Sequence, residues 1–92
     1  MILRIITPDK EEINAQSVNF VHLRLADGNP ISIYPGHIRL MGLIKEGSVQ
    51  FSDDQKNHQV SVSDGLLLVD RDEISCHVNW ARRKKNDLDD RK

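Results

Sequence analysis

Residues 60–78, which read VSVSDGLLLVDRDEISCHV, are the most informative part of the sequence for the fold class. Val60 and Val62 alternate with serines, a short apolar run follows the turn at Asp64-Gly65, and a second alternation follows Asp70-Arg71-Asp72. Apolar residues that recur with a period of two are typical of strands that bury one face. The segment therefore predicts a succession of short strands joined by tight turns.

Similar blocks extend toward the N-terminus. Residues 2–6 predict a strand that ends at Thr7-Pro8-Asp9, and residues 10–12 are expected to be surface charge. Residues 18–25 alternate, with Val21, Leu23 and Leu25 on one side, and residues 38–44 predict a strand or a buried crossover. Turn signals recur roughly every 8–12 residues, which favours an antiparallel sandwich or barrel. The predicted fold class is all-β.

Composition limits the possible functions. The chain has 92 residues, of which 38% are hydrophobic and 29% charged, with a formal net charge of -1. One modest core fits this length, two catalytic lobes do not, and no overall basic field attracts nucleic acid or anionic lipid. The longest apolar run, residues 66–69, is far shorter than the ~20 residues that cross a bilayer. We therefore expect membrane association only through a partner.

Reactive chemistry is not predicted. The chain has four histidines, His22, His37, His58 and His77. Their spacing from one another and from the single cysteine is not that of metal ligands. Cys76 lies in an alternating strand and is interpreted as a core residue, and a single cysteine without an internal partner indicates a cytosolic protein. No nucleophile elbow or phosphate-binding glycine loop occurs. We predict no catalytic residue, no metal and no cofactor.

The composition changes after Trp80. Residues 81–92 read ARRKKNDLDDRK, with Leu88 the only large apolar residue, so we expect a fraying helical turn or disorder there. Acidic residues follow the basic run at once, which favours solvated charge over a nucleic-acid site. The predicted organisation is a β-sandwich over residues 1–79 and a charged tail over residues 80–92.

Three ordered segments carry a family resemblance. They are LRIITPD at residues 3–9, IYPGH at residues 33–37 followed by Leu40-Met41, and VSDGLLLV at residues 62–69. In this order and spacing they resemble the epsilon subunit of the rotary F-type ATP synthase, which is called delta in mitochondria. The similarity covers residues 2–78, nearly the whole predicted body.

The resemblance implies a flattened sandwich of about ten short strands at the foot of the central stalk. Members of this family have no catalytic residue in this domain. They hold the gamma subunit and the membrane ring of c subunits together as one rotor, and they lie on the cytoplasmic side, peripheral to the membrane. An alternative of another class is an orphan β-sandwich interaction module with a soluble partner.

The resemblance also implies roles for individual residues. The gamma-facing edge would contain Ile38, Leu40, Met41 and Gly42. The loop that faces the c ring would be formed by Asp27, Gly28, Asn29, Pro30 and Ile31. The adjoining bend would be shaped by Pro35, Gly36 and His37. The first and third sets also have a purely structural interpretation, in which Leu40 and Met41 fill the core and Pro35-Gly36 only makes a turn.

The sequence departs from the family pattern at several positions. Ser32 and Arg39 stand where a glycine and a proline are common, and Asp64 replaces the first glycine of a Gly-Gly pair. The sequence given stops where a C-terminal helical hairpin begins in many members, so we expect inhibition by such a hairpin to be lost. ATP binding, which some members show, is not predicted because its motif is incomplete.

Overall fold

The computed structural model describes residues 1–36 and 39–83. These residues form ten strands in two five-stranded sheets, which confirms the predicted all-β sandwich. The strands are β1 Ile2–Ile6, β2 Glu11–Ala15, β3 Phe20–Arg24, β4 Pro30–Ile33, β5 Leu40–Ile44, β6 Gly47–Ser52, β7 Asn57–Val62, β8 Gly65–Asp70, β9 Glu73–Val78 and β10 Ala81–Arg83. Of the two alternatives for residues 38–44, the strand is therefore present from Leu40 onward.

The strand order is β2-β1-β9-β8-β5 in the first sheet and β10-β7-β6-β3-β4 in the second. The pairings are antiparallel except for β1 with β9, which is parallel. The sheets are joined where Leu25 bridges to Ile44. At this corner the Ala26 N–H donates to the Leu43 carbonyl (2.9 Å), and the Lys45 N–H donates to the Arg24 carbonyl (3.0 Å). The corner ties β5, the edge of the first sheet, to the turn that follows β3.

The core lies between the sheets and follows the period of two. Val21 and Leu23 of β3 are buried, and Leu25 packs against the core, as the alternation predicts. Cys76 has no exposed surface, and burial raises the pKa of its thiol to about 12. A thiol that stays protonated is a poor nucleophile. The interpretation of Cys76 as a core residue is confirmed.

Two edge strands differ from the sequence prediction. Glu11–Ala15, whose first residues were expected to be surface charge only, forms β2, in which Ile13 is buried. Ala81–Arg83 forms β10 instead of a helical turn or disorder, and it pairs with β7 through Ala81 to Val62 and Arg83 to Val60. An edge strand can form with a single side chain that faces the core, because the neighbouring strand provides hydrogen bonds to its backbone. Residues 84–92 of the predicted tail lie outside the described residues.

Candidate protein-interaction surface

Four apolar side chains lie together on the outer face of the first sheet. Met41 and Leu43 of β5 are 71% and 63% exposed. Their register partners on β8 are Leu68 and Leu66, which are half-buried. Directly paired residues of antiparallel strands share a face, with Cβ atoms about 4.5–5.5 Å apart. We call these four residues the apolar patch.

Strand alternation explains why β5 exposes these side chains. Leu40 is half-buried and Ile44 is 2% exposed, since both face the other sheet. Met41 and Leu43 occupy the intervening positions and point away from the core. Among the residues that the structure describes, β5 is also an edge strand, with β8 as its one neighbour in the sheet. Exposure of two large apolar side chains on an edge strand is typical of a binding surface.

Polar residues border the apolar patch at both ends. At one end, Arg39 Nε donates to Asp70 Oδ1 at 3.0 Å, and both side chains are exposed. At the other end, Lys45 and Glu46 are exposed, and the Glu46 N–H donates to Asp64 Oδ1 at 2.7 Å. An apolar centre with a polar rim is the usual composition of a protein interface.

The remaining outer surface of the first sheet is mainly polar, although Ile2 and Ile6 of β1 lie half-buried on it. Arg4 lies between Glu11 and Glu73, with Nη1 at 3.0 Å from Glu73 Oε2. The hydrogen bond from Arg4 lowers the pKa of Glu11. The neighbouring outward residues of β9 are Ser75 and His77. The apolar patch therefore occupies only the β5–β8 half of this sheet.

The outer face of the second sheet is polar along β6 and β7, whereas near β3 and β4 Tyr34 is 57% exposed and its ring centroid lies 6.4 Å from that of Phe20. His22 Nδ1 and Ser32 Oγ are 2.8 Å apart, and Gln59 Nε2 donates to Ser48 Oγ at 2.9 Å. Side chains that pair with one another in this way need no further partner. The two faces of the sandwich therefore differ in character, and the first sheet offers the more apolar surface for binding.

The residues predicted for the gamma-facing edge fall on different sides of β5. Met41 belongs to the apolar patch, whereas Leu40 packs against the core. Gly42 also faces inward, where an added Cβ would lie 3.4 Å from Leu25 Cδ2. Ile38 lies outside the described residues. The gamma-facing assignment of these residues stays a prediction.

Three residues of the apolar patch were not selected from the sequence. Leu43 lies two positions after Met41, so a strict period of two could have found it. Leu66 and Leu68 belong to an unbroken apolar run, in which the sequence does not show which residues face outward. Only the packed sheets distinguish them from the buried Leu67.

The loop predicted to face the c ring is a well-defined turn. Gly28 has a φ of +92°, a conformation that favours glycine, and its N–H donates to the Leu25 carbonyl at 2.8 Å. Asp27 Oδ1 accepts the Asn29 N–H at 2.9 Å, and Arg24 donates to the Gly28 carbonyl. These bonds hold the turn while the Asp27 and Asn29 side chains remain exposed.

The same loop adjoins the apolar patch. Pro30 is exposed at the start of β4, and Ile31 is half-buried against the core. Ala26, just before the loop, donates its N–H to the Leu43 carbonyl. The loop and the patch therefore form one continuous surface around the end of β5.

The bend at Pro35-Gly36 is not next to this loop. Gly36 has a φ of +83°, so the predicted turn is present. However, β4 runs from Pro30 to Ile33 between the loop and the bend, a distance of about 13 Å at 3.3 Å per residue. The expectation of an adjoining bend is therefore wrong, because the bend lies at the opposite end of the β3–β4 hairpin. His37 lies outside the described residues.

Within residues 1–36 and 39–83, no group of three or more His, Cys, Asp or Glu side chains is arranged to hold a metal ion. The same part of the chain contains no helix of the length and apolar character that a bilayer span requires. The structure does bring together an apolar patch and an adjoining polar loop that its own hydrogen bonds hold in shape, and these features suit protein contact.

The amino-acid sequence of the chain is similar to that of one known family. Residues 1–84 match the family model of the β-sandwich domain of the ATP synthase delta/epsilon chain. The chain is 32% identical over 87 residues to an ATP synthase epsilon chain of Lawsonia intracellularis, covering 95% of this chain and 63% of that protein. It is 33% identical over 81 residues to the epsilon chain of Thermodesulfovibrio yellowstonii, covering 88% of this chain and 56% of that protein. The chain thus spans less than two thirds of the length of these curated relatives.

Solved structures show the same fold. A chain in the cryo-EM structure of the Euglena gracilis mitochondrial ATP synthase, a complex of OSCP, F1 and the c-ring, superposes with a TM-score of 0.81 at 18% identity, covering 90% of this chain and 52% of that one. A chain in the cryo-EM structure of the central stalk and c-ring of the Tetrahymena thermophila mitochondrial ATP synthase superposes with a TM-score of 0.71 at 11% identity. The match covers 88% of this chain and 64% of that one. At these identities the likeness concerns the fold.

Proposed function

The chain belongs to the delta/epsilon chain family of ATP synthases, and on this premise we propose that it is a non-catalytic subunit of the central stalk of an F-type ATP synthase. In this role it binds the gamma subunit and the ring of c subunits, and it couples ion-driven rotation of the ring to ATP synthesis or hydrolysis. It is peripheral to the membrane on the cytoplasmic side, and it contacts the membrane only through the ring.

The apolar patch is the observation that carries the proposal for gamma. Permanent interfaces are more hydrophobic than transient ones, and the exposed side chains of Met41 and Leu43 provide such a surface. Fully burying one side chain of this size contributes about 1.5–3 kcal/mol. Met41 and Leu43 are therefore the proposed anchors of this contact, beside the half-buried Leu66 and Leu68.

The loop from Asp27 to Ile31 is the proposed contact with the c ring. It lies at one end of the sandwich, and its own hydrogen bonds hold it in shape. The exposed side chains of Asp27 and Asn29 suit the polar connections that protrude from a membrane ring. Because the Ala26 N–H ties this loop to Leu43, force applied at the loop reaches the gamma-facing patch through a single hydrogen-bonded corner.

Binding to the cognate gamma subunit tests the first contact. The double substitution Met41→Asp with Leu43→Asp removes the exposed anchors and introduces charge at the same positions. The matched control is Ser48→Asp with Gln50→Asp, which places two carboxylates on exposed positions of the second sheet. Calorimetry should show at least about 100-fold weaker binding for the first variant and unchanged binding for the control.

Two results would contradict the proposal for gamma. One is equal affinity of both double variants, which would show that the patch is not the contact. The other is no association of the unaltered chain with gamma at micromolar concentration, which would favour an interaction module with a soluble partner. Thermal melts monitored by circular dichroism establish that each variant is folded.

Site-directed cross-linking tests the second contact. Cys76 is buried, so a cysteine introduced at Asn29 provides one accessible thiol. In membranes that contain the assembled complex, Asn29→Cys should cross-link to a c subunit that carries a cysteine in its polar loop. Ser48→Cys, on the second sheet, should not. Equal cross-linking from both positions would exclude the proposed orientation.

A further inference from the structure

A second cluster of polar side chains lies away from the apolar patch, on the second sheet. His58 of β7 places Nε2 at 2.9 Å from Asp53 Oδ2, and its side chain is 12% exposed. Its ring stacks on Phe51 with centroids 4.7 Å apart and an interplanar angle of 14°. The ring is therefore held on one face by an aromatic side chain and at one nitrogen by a carboxylate.

Asp53 determines which nitrogen of His58 carries a hydrogen. Asp53 Oδ1 accepts the backbone N–H groups of Gln55 (2.9 Å) and Lys56 (3.0 Å). These bonds, together with the one to His58, lower the pKa of Asp53 to about 2, so its carboxylate stays ionised near neutral pH. An ionised carboxylate only accepts, and Nε2 of His58 must therefore be the donor. In the neutral ring, Nδ1 is then a hydrogen-bond acceptor.

Arg83 contacts this second nitrogen. Its Nη1 lies 3.5 Å from His58 Nδ1, although the two residues are 25 positions apart in the chain. A guanidinium group only donates, so this contact requires a lone pair on Nδ1 and thus a neutral imidazole. Arg83 is the last residue of β10, a strand of three residues that, within the described part of the chain, pairs with β7 alone.

We propose that His58 is a proton-controlled latch for β10. The neutral ring accepts Arg83 and holds the end of β10 on β7. A proton on Nδ1 replaces the acceptor with a donor and places two positive charges 3.5 Å apart. Arg83 then leaves, and the end of β10 loosens at the point where the chain continues into residues 84–92.

The contacts indicate that β10 moves while the ring stays in place. Among the described residues, the charged groups within hydrogen-bonding distance of His58 are Asp53, from the β6–β7 connection, and Arg83, from β10. Protonation strengthens the attraction between His58 and Asp53, and the stack on Phe51 is retained. Arg83 is exposed, so its guanidinium can exchange this contact for water. The inference concerns β10 alone and does not depend on the proposed binding of gamma or the c ring.

Hydrogen exchange measured by NMR on the full chain tests the latch. Protection factors of the β10 amides are compared between pH 8 and pH 5. Amides of the β8–β9 pairing in the first sheet serve as the internal reference. At the lower pH we expect protection in β10 to fall by roughly three- to fivefold relative to the reference. This is the magnitude expected from the loss of one exposed charge contact.

Three variants assign the effect to the contact. Arg83→Gln and His58→Gln should each abolish the pH step in β10. Arg82→Gln is the matched control, because the guanidinium of Arg82 lies over the Trp80 ring, 5.5 Å from its centroid, and the variant should keep the step. The latch is overturned by a pH-independent β10 in the unaltered chain or by a step that persists in Arg83→Gln. Because Arg83 is exposed, that variant tests the idea even if His58→Gln perturbs the fold.

Discussion

Gly65 is the position at which the smallest substitution should have the largest effect on stability. It is the first residue of β8 and pairs with Ile44 of β5 on one side and Val78 of β9 on the other. A methyl group added at Gly65 would overlap the His77 carbonyl oxygen and lie 2.7 Å from Val78 Cγ1. The carbonyl belongs to the backbone and cannot rotate away, so β8 and β9 must separate locally.

The expected loss follows from two opposing effects of Gly65→Ala. Restricting the unfolded chain stabilises the variant by about 0.4–1 kcal/mol. Overpacking costs about 1–3 kcal/mol, and an overlap with backbone belongs at the upper end of this range. We therefore expect a net destabilisation of about 2 kcal/mol, which in a domain of this size lowers Tm by about 8–16 °C.

Gly42→Ala is the matched control on the neighbouring strand β5. An added Cβ there meets only the end of the Leu25 side chain, at 3.4 Å, which is an ordinary contact. Its stability should stay within about 0.5 kcal/mol of the unaltered chain. Urea unfolding and thermal melts measure both variants. If Gly65→Ala melts at the same temperature as the unaltered chain, or if both variants lose the same stability, the close contact at Gly65 does not make an added methyl group destabilising.

Three further expectations concern single side chains. Leu40→Asp should lower the free energy of unfolding by about 2 kcal/mol or more, because Leu40 packs against the core. Met41→Asp should stay within about 0.5 kcal/mol of the unaltered chain, because Met41 is exposed. Equal urea midpoints of the two variants would contradict this difference. Because the pKa of Asp53 is lowered from 3.8 to about 2, its ionised form stabilises the fold above pH 4, and this contribution disappears as the pH falls toward 2. Asp53→Asn should therefore be less stable at pH 7 and lose less stability between pH 4 and pH 2, as measured by urea unfolding at each pH; an unchanged acid dependence would contradict the assignment. Cys76 should resist a thiol reagent at pH 8 in the native chain and react after unfolding in urea, and rapid native labelling would show that the core opens at β9.

Local pattern was sufficient for much of the fold. The alternation of Val21, Leu23 and Leu25 predicted the buried side of β3, and the Asp64-Gly65 turn predicted the start of β8. Cys76 was correctly interpreted as a core residue. Ordered motifs also indicated the family, which the match over residues 1–84 confirms. These features depend on neighbouring residues, so they can be read without knowing how the sheets pack.

The edge strands required the tertiary structure. β2 and β10 carry few apolar residues, and they form because a paired neighbour supplies hydrogen bonds to their backbones. The bend at Pro35-Gly36 was recognised, but its distance from the Asp27 loop follows from the direction of β4. The contact between His58 and Arg83 joins strands that are adjacent only in the folded sheet.

The residue pattern alone indicated the alternation of apolar and polar residues within the strands, the positions of several turns and the family of the chain. It did not determine which side of β5 and β8 meets solvent, since Leu66, Leu67 and Leu68 are equally apolar. That choice was made when the second sheet covered Leu67 and left Leu66 and Leu68 beside Met41 and Leu43. A period of two separates the two faces of a strand, but only packing against another sheet decides which of them is buried.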